Sequence, residues 1–189
     1  CPFHHWRFDA SGACVATGIG VKAPASARLF QFPTAERYGV VWAFNGREPA
    51  YPLFEVEQLA LDWHYKASRE YQVASDPSPI LANSFDFQHF RAVHKWHVTR
   101  SDAIDAVDGL DWQPHSVSYR LEGNLGSGTP AFALKVTLHG NNVSIVGGLF
   151  NGVAMTTLSA LCVQDRGRSQ MFLITFCDAA PNQASEAPT

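Results

Sequence analysis

The segment "ILANSFDFQHFRAVHKW", residues Ile80–Trp96, decides how the rest of this sequence is interpreted. It contains neither glycine nor proline, and therefore predicts one continuous helix. The stretches "SVSYRLEG" (116–123) and "FALKVTLHG" (132–140) that follow it alternate polar and apolar residues, which is typical of strands with one buried face. Turn residues between the later strands favour antiparallel pairing. The sequence thus predicts an α+β fold, in which a helix packs on an antiparallel sheet.

Turn residues dominate the region that precedes this helix-and-sheet part. Asp9–Gly12 ("DASG") and Asn45–Gly46 are turn signals beside short strand-like runs. They predict a small all-β unit. Two prolines in residues 48–55 ("EPAYPLFE") indicate a linker. We therefore expect one domain at residues 1–52 and a second at residues 53–189.

Composition excludes several classes of partner. The net charge is −3 and basic residues are scattered singly, so no field attracts nucleic acid or anionic lipid. No apolar run approaches the roughly 20 residues that span a bilayer, and we expect no membrane span. The spacings of the four cysteines match no disulfide framework, which favours a reducing, cytoplasmic setting.

Four polar residues of the predicted helix form the pattern N-x-x-D-x-x-H-x-x-x-x-H: Asn83, Asp86, His89 and His94. Two imidazoles and a carboxylate are the facial triad of non-haem Fe(II) oxygenases. Regular helical spacing places His94 about 140° around the axis from His89, so convergence needs long side chains or a π-bulge. A His94/His97 pair is an alternative, and so are ordinary surface or core histidines.

The chain begins with "CPFHHWRF" (1–8), in which Cys1 and His4 are three positions apart. A Rieske [2Fe–2S] centre takes two cysteines on one iron and two histidines on the other, and C-x-x-H matches half of that set. Zinc sites and plain turns also contain C-x-x-H. The other half, C-x-H, is missing, because Cys14, Cys162 and Cys177 are followed two positions later by Ala16, Gln164 and Ala179. We therefore expect this chain to be a fragment whose first residues are missing.

The two motifs in this order resemble the Rieske-type non-haem iron oxygenases, the large subunits of ring-hydroxylating enzymes. The resemblance implies that Cys1 and His4 are ligands of the [2Fe–2S] cluster, with Trp6 and Phe8 packed around it. It implies that His89 and His94 bind a mononuclear Fe(II). Asp86 would be the carboxylate that bridges a cluster histidine of one subunit and an iron histidine of its neighbour. Asn83 would lie close to the iron.

Two departures from the family pattern bear on the site. His5 stands where the family has glycine in C-P-x-H-G-W. The family's third iron ligand is an acidic residue on a late C-terminal helix, and this sequence shows no such helix, so the resemblance implies a fragment cut at both ends. Asp165 and Asp178 are the remaining late aspartates, and each is better explained as a turn residue.

The resemblance also implies an activity, with partners. It implies O₂-dependent mono- or dioxygenation of a small apolar substrate, aromatic or steroid-like, with electrons from a reductase or ferredoxin, in a homotrimer. The pocket would be lined by Phe85, Phe90, Val93 and side chains of residues 143–163. Two alternatives remain open: a non-catalytic binder of apolar ligands with the same helix-grip fold, and a zinc hydrolase built on His89, His94 and His97. The zinc hydrolase lacks the H-E-x-x-H arrangement.

Overall fold

The computed structural model describes residues 3–56, 65–101, 110–126 and 131–178. The chain divides into two compact units, Cys1–Leu53 and Phe54–Thr189. No helix within the described ranges has the length and apolar character needed to cross a bilayer.

The first unit contains two small antiparallel sheets. One pairs β1 (Arg7–Phe8) with β2 (Cys14–Ala16), and the other pairs β3 (Thr34–Arg37) with β4 (Val40–Ala43). The carboxylate of Asp9 closes the first hairpin, because it accepts hydrogen bonds from Ser11 and from the Ala13 amide. This region is all-β in its described residues, as its turn signals predict.

The second unit is built on an eight-stranded antiparallel sheet. Its order is β5-β12-β11-β10-β9-β8-β6, with β7 also paired to β8. The strands are β5 (Tyr65–Val73), β6 (His97–Ser101), β7 (Asp111–Gln113), β8 (Ser116–Asn124), β9 (Phe132–His139), β10 (Val143–Phe150), β11 (Val153–Asp165) and β12 (Arg168–Cys177). Strands β8 to β12 follow each other as hairpins, so the predicted antiparallel sheet is confirmed.

The predicted continuous helix at 80–96 is wrong. The structure has α1 (Pro77–Ala82), a 3₁₀ turn (Asn83–Phe85) and α2 (Phe87–Ala92). Asp86 interrupts them, because its backbone leaves the helical region with φ −89° and ψ 86° and its side chain caps α2. Aspartate competes for backbone amides in this way, which makes it a better cap than an interior helix residue.

One face of the sheet packs against these helices and forms the core. The alternation in β9 is complete: Phe132, Leu134, Val136 and Leu138 are buried, and the residues between them are on the other face. Aromatic residues of the helical segment pack on this cluster: Phe85, Phe87, Phe90 and Trp96. The predicted α+β architecture, helices on one face of an antiparallel sheet, is therefore confirmed.

Candidate metal centre

His89 lies within α2 and His94 lies two residues beyond its end, and their rings are in contact. Their Nε2 atoms are 3.1 Å apart, and the ring centroids are 4.9 Å apart with the planes at 74°. Two imidazole nitrogens that bind one metal at about 2.1 Å and at a right angle lie about 3.0 Å from each other. The pair therefore has the spacing of neighbouring ligands on one metal ion. The same distance allows one neutral imidazole to donate a hydrogen bond to the other.

The two rings meet because α2 ends before His94. The last helical residue is Ala92, and the amide of Val93 donates to the His89 carbonyl oxygen at 2.8 Å. The chain then reverses through Lys95, whose φ is 59°. The offset of about 140° that a regular helix imposes does not apply to a residue outside the helix. Neither a π-bulge nor unusually extended side chains are needed.

The surroundings of His94 favour its neutral imidazole form. Burial lowers the pKa of His94 below its ordinary value, and the neighbouring His89 lowers it further. A neutral imidazole keeps a lone pair for a metal, whereas an imidazolium has none. The lowered pKa therefore favours the neutral, metal-binding form of His94.

Asp86 holds His89 through the backbone. Its Oδ1 accepts a hydrogen bond from the His89 amide at 2.9 Å, which is the N-cap interaction that fixes the first turn of a helix. The carboxylate itself is exposed. In the described ranges, no three His, Cys, Asp or Glu side chains converge as a metal site. Asp86, His89 and His94 therefore do not form a facial triad here.

The other candidate residues from the sequence have structural positions and hydrogen bonds of their own. Asn83 is an exposed residue that begins the 3₁₀ turn, and its amide donates to α1 carbonyls. His97 begins β6 and pairs with Asn124. In the described part of the chain, no three His, Cys, Asp or Glu side chains lie close enough to hold one metal ion. His89, His94 and His97 therefore do not form a three-histidine zinc site there. Asp165 accepts a hydrogen bond from the Arg166 amide in a turn.

An aromatic cluster beside His94 includes two sheet residues, Phe132 and Phe150, that the sequence did not indicate. The Trp96 ring lies 5.5 Å from the His94 ring and contacts three phenylalanines: Phe90 at 5.8 Å, Phe132 at 5.2 Å and Phe150 at 5.5 Å. Phe132 and Phe150 are directly opposed in the β9–β10 register, so only strand pairing brings them here. Of the predicted pocket residues, Phe85 and Phe90 pack on the core. Val93 does not, since it is 60% exposed.

The predicted cluster motif is described only in part. Cys1 lies outside the described residues, while His4 is exposed and packs edge-on against Phe3 at 4.3 Å. His5 has φ 57°, in the left-handed region, which explains why glycine suits this position. Trp6 and Phe8 lie with their ring centroids 6.4 Å apart.

Comparison with known proteins identifies relatives for this arrangement. An aminopyrrolnitrin oxygenase of Pseudomonas fluorescens is 35% identical over 135 residues, which cover 65% of this chain and 36% of that protein. A cholesterol 7-desaturase of Bombyx mori is 33% identical over 97 residues, 50% of this chain and 21% of that protein. The oxygenase component of dicamba O-demethylase from Stenotrophomonas maltophilia is 26% identical over 170 residues, 85% of this chain and 48% of that protein.

A solved structure shows the same fold. Dicamba monooxygenase bound to dicamba superposes with a TM-score of 0.73 over 98% of this chain and 61% of that chain, at 16% sequence identity. No family profile matches the chain. The chain spans about a fifth to a half of the length of the three curated relatives, between 21% and 48%.

These relatives are oxygenase components of the Rieske type, and the chain is homologous to the Rieske-type non-haem iron oxygenases. The resemblance drawn from the two motifs is therefore confirmed. The homologues act on aromatic or steroid substrates, and they include the oxygenase components of multi-component systems.

Proposed function

We propose that this chain forms part of an O₂-dependent oxygenase, in which His89 and His94 hold a mononuclear Fe(II). The observation that carries the proposal is the 3.1 Å separation of their Nε2 atoms at the end of α2. Its support is the homology to oxygenases and the neutral state favoured for His94. Iron bound there would supply the redox chemistry that places oxygen from O₂ on the substrate.

The residues of the chain have separate tasks in this proposal. His89 and His94 present lone pairs to the iron, and Asp86 fixes the start of α2 through the His89 amide. Asn83 would lie close to the iron. Further ligands come from outside the described residues. Half-buried aromatic side chains exclude water from one side of the pair, which suits an apolar substrate that is aromatic or steroid-like.

The electron path belongs to the same proposal. Cys1 and His4 would bind a Rieske [2Fe–2S] cluster together with a second Cys and a second His. A reductase or ferredoxin in the cytoplasm would supply the electrons. Asp86 would then bridge the cluster of one subunit and the iron of the next in a homotrimer. A carboxylate hydrogen-bonded to a ligand histidine fixes its tautomer and orientation.

The test is the iron content of histidine variants after anaerobic purification. We expect His89→Ala and His94→Ala each to lose the mononuclear iron, because each removes one of two neighbouring ligands. His97→Ala is the matched control, an exposed histidine on β6, and is expected to keep the iron. Full occupancy in either of the first two variants would contradict the proposal. Loss of iron in His97→Ala would instead favour the His94/His97 pair.

A further inference from the structure

The two histidines of the candidate metal centre are held in place by different interactions. His89 lies within α2, and the Asp86 cap fixes its backbone. His94 lies beyond the helix, next to Lys95 with φ 59°, and its side chain is on the exposed side. The α2 helix therefore does not fix the backbone of His94, and its ring orientation depends on side-chain contacts: the His89 Nε2 atom at 3.1 Å and the ring of Trp96.

Trp96 is the side chain placed to orient it. Its ring centroid lies 5.5 Å from that of His94, with the planes at 42°. Trp96 is itself anchored to two different elements: to α2 through Phe90 at 5.8 Å, and to the sheet through Phe132 at 5.2 Å and Phe150 at 5.5 Å. Its amide also donates to the Phe90 carbonyl oxygen at 2.9 Å. The indole is therefore anchored on both α2 and the sheet, beside an imidazole that lies outside any helix or strand.

We propose that Trp96 is a positioning residue for the metal centre, whose tilted ring, packed against the His94 imidazole, holds His94 in the orientation that pairs it with His89. The inference rests on the proposed function of the two histidines. Groups that orient metal-bound imidazoles change metal affinity about 10- to 100-fold when they are lost. An aromatic ring is required rather than apolar bulk, because a rigid ring tilted at 42° to the imidazole limits its rotation, whereas a flexible leucine or methionine side chain does not.

The experiment measures Ni(II) binding to the 189-residue chain by calorimetry. Nickel serves as the probe because imidazole sites bind it more tightly than Fe(II). A His89→Ala/His94→Ala double variant defines the binding at other histidines. We expect Trp96→Leu and Trp96→Met to weaken the specific site at least about tenfold. Trp96→Phe is expected to retain most of the affinity, which a role in packing bulk alone does not predict.

The control applies the same substitution elsewhere. Trp112 is 66% exposed on β7, and Trp112→Leu is expected to leave Ni(II) affinity unchanged. Wild-type affinity in Trp96→Leu or Trp96→Met would overturn the inference and leave the proposed function standing. A wild-type chain that binds no more Ni(II) than the double variant would overturn both.

A second measurement needs no variant. The indole ring current should shift the His94 ring protons in the proton NMR spectrum of the metal-free chain, because the two rings are 5.5 Å apart. His94 resonances at the chemical shifts of a histidine with no aromatic neighbour would overturn the inference, whatever the stability of the Trp96 variants.

Discussion

At the scale of single residues, Asp86 has two roles that are separable. It caps α2 through the His89 amide, and it is the proposed bridge for electrons. The cap needs only a side-chain oxygen, which asparagine also offers, whereas a bridge between two imidazoles depends on a charged acceptor. The structure therefore suggests a substitution that removes one role and keeps the other.

We predict that Asp86→Asn keeps both metals and the stability of α2 but slows electron transfer from cluster to iron. The measurement is stopped-flow reoxidation of the reduced cluster in a protein that contains both cluster motifs. Asp86→Ala is the companion variant, expected to be equally slow and to lose about 1 kcal/mol of unfolding free energy with the cap. Reoxidation at the wild-type rate in Asp86→Asn would show that Asp86 is a cap and no more.

At the scale of elements, glycine is needed for one reason within β10 and for another in the β10–β11 hairpin. Asn151 and Gly152 have φ of 50° and 78° between the paired Phe150 and Val153, which is the turn type that Asn-Gly favours in two-residue hairpins. Gly148 lies within β10 with φ 145°, and a Cβ there would collide with the Ala133 carbonyl oxygen of β9. The register through Gly148 is unbroken, so it marks a close approach of two strands rather than a bulge.

We predict that Gly148→Ala destabilises the sheet far more than Gly167→Ala. Gly167 has φ 67° in the β11–β12 turn with open space around it, so alanine there costs about 1–2 kcal/mol of backbone strain. At Gly148 the collision with backbone adds to that strain, and a loss of about 3 kcal/mol or more is expected. Urea unfolding of the two variants measures the difference. Equal losses would mean that β9 and β10 separate without cost at this point.

At the scale of the whole molecule, pH acts on stability through histidines that the fold keeps neutral. His139 on β9 is half-buried and stacked on Phe54, with ring centroids 4.6 Å apart. Burial lowers its pKa, and the charge of Lys135 lowers it further. His94 is shifted in the same direction. The unfolded chain therefore takes up protons at a higher pH than the folded chain does.

We predict that the unfolding free energy falls as the pH is lowered below about 6.5. Above the unfolded pKa both states are neutral at these histidines and stability is full. Below it the unfolded state binds protons first, and the loss continues until the pH passes the lowered folded pKa. Urea unfolding from about pH 7.5 to about pH 5 measures the slope. His139→Gln is expected to make that slope shallower, and an unchanged slope would exclude His139 as a contributor.

Much of the fold and part of the site follow from local patterns in the sequence. Alternation at 116–123 and 132–140 predicts strands with one buried face, because the side-chain period of a strand is two. The order of C-x-x-H and N-x-x-D-x-x-H-x-x-x-x-H indicates the family, because metal ligands need defined residue types at defined spacings. These signals are contained within short segments, so they are visible before the chain folds.

Only the tertiary structure decided how the site is assembled. The sequence suggested one helix through Trp96, but Asp86 caps a new helix that ends at Ala92, and this frees the His94 ring to meet His89. Phe132 and Phe150 reach Trp96 only through the pairing of β9 with β10. The end of a helix depends on competition between side chains and backbone groups for hydrogen bonds. Cross-strand contacts depend on which strands pair and in what register. Neither can be read from the residue pattern of one short segment.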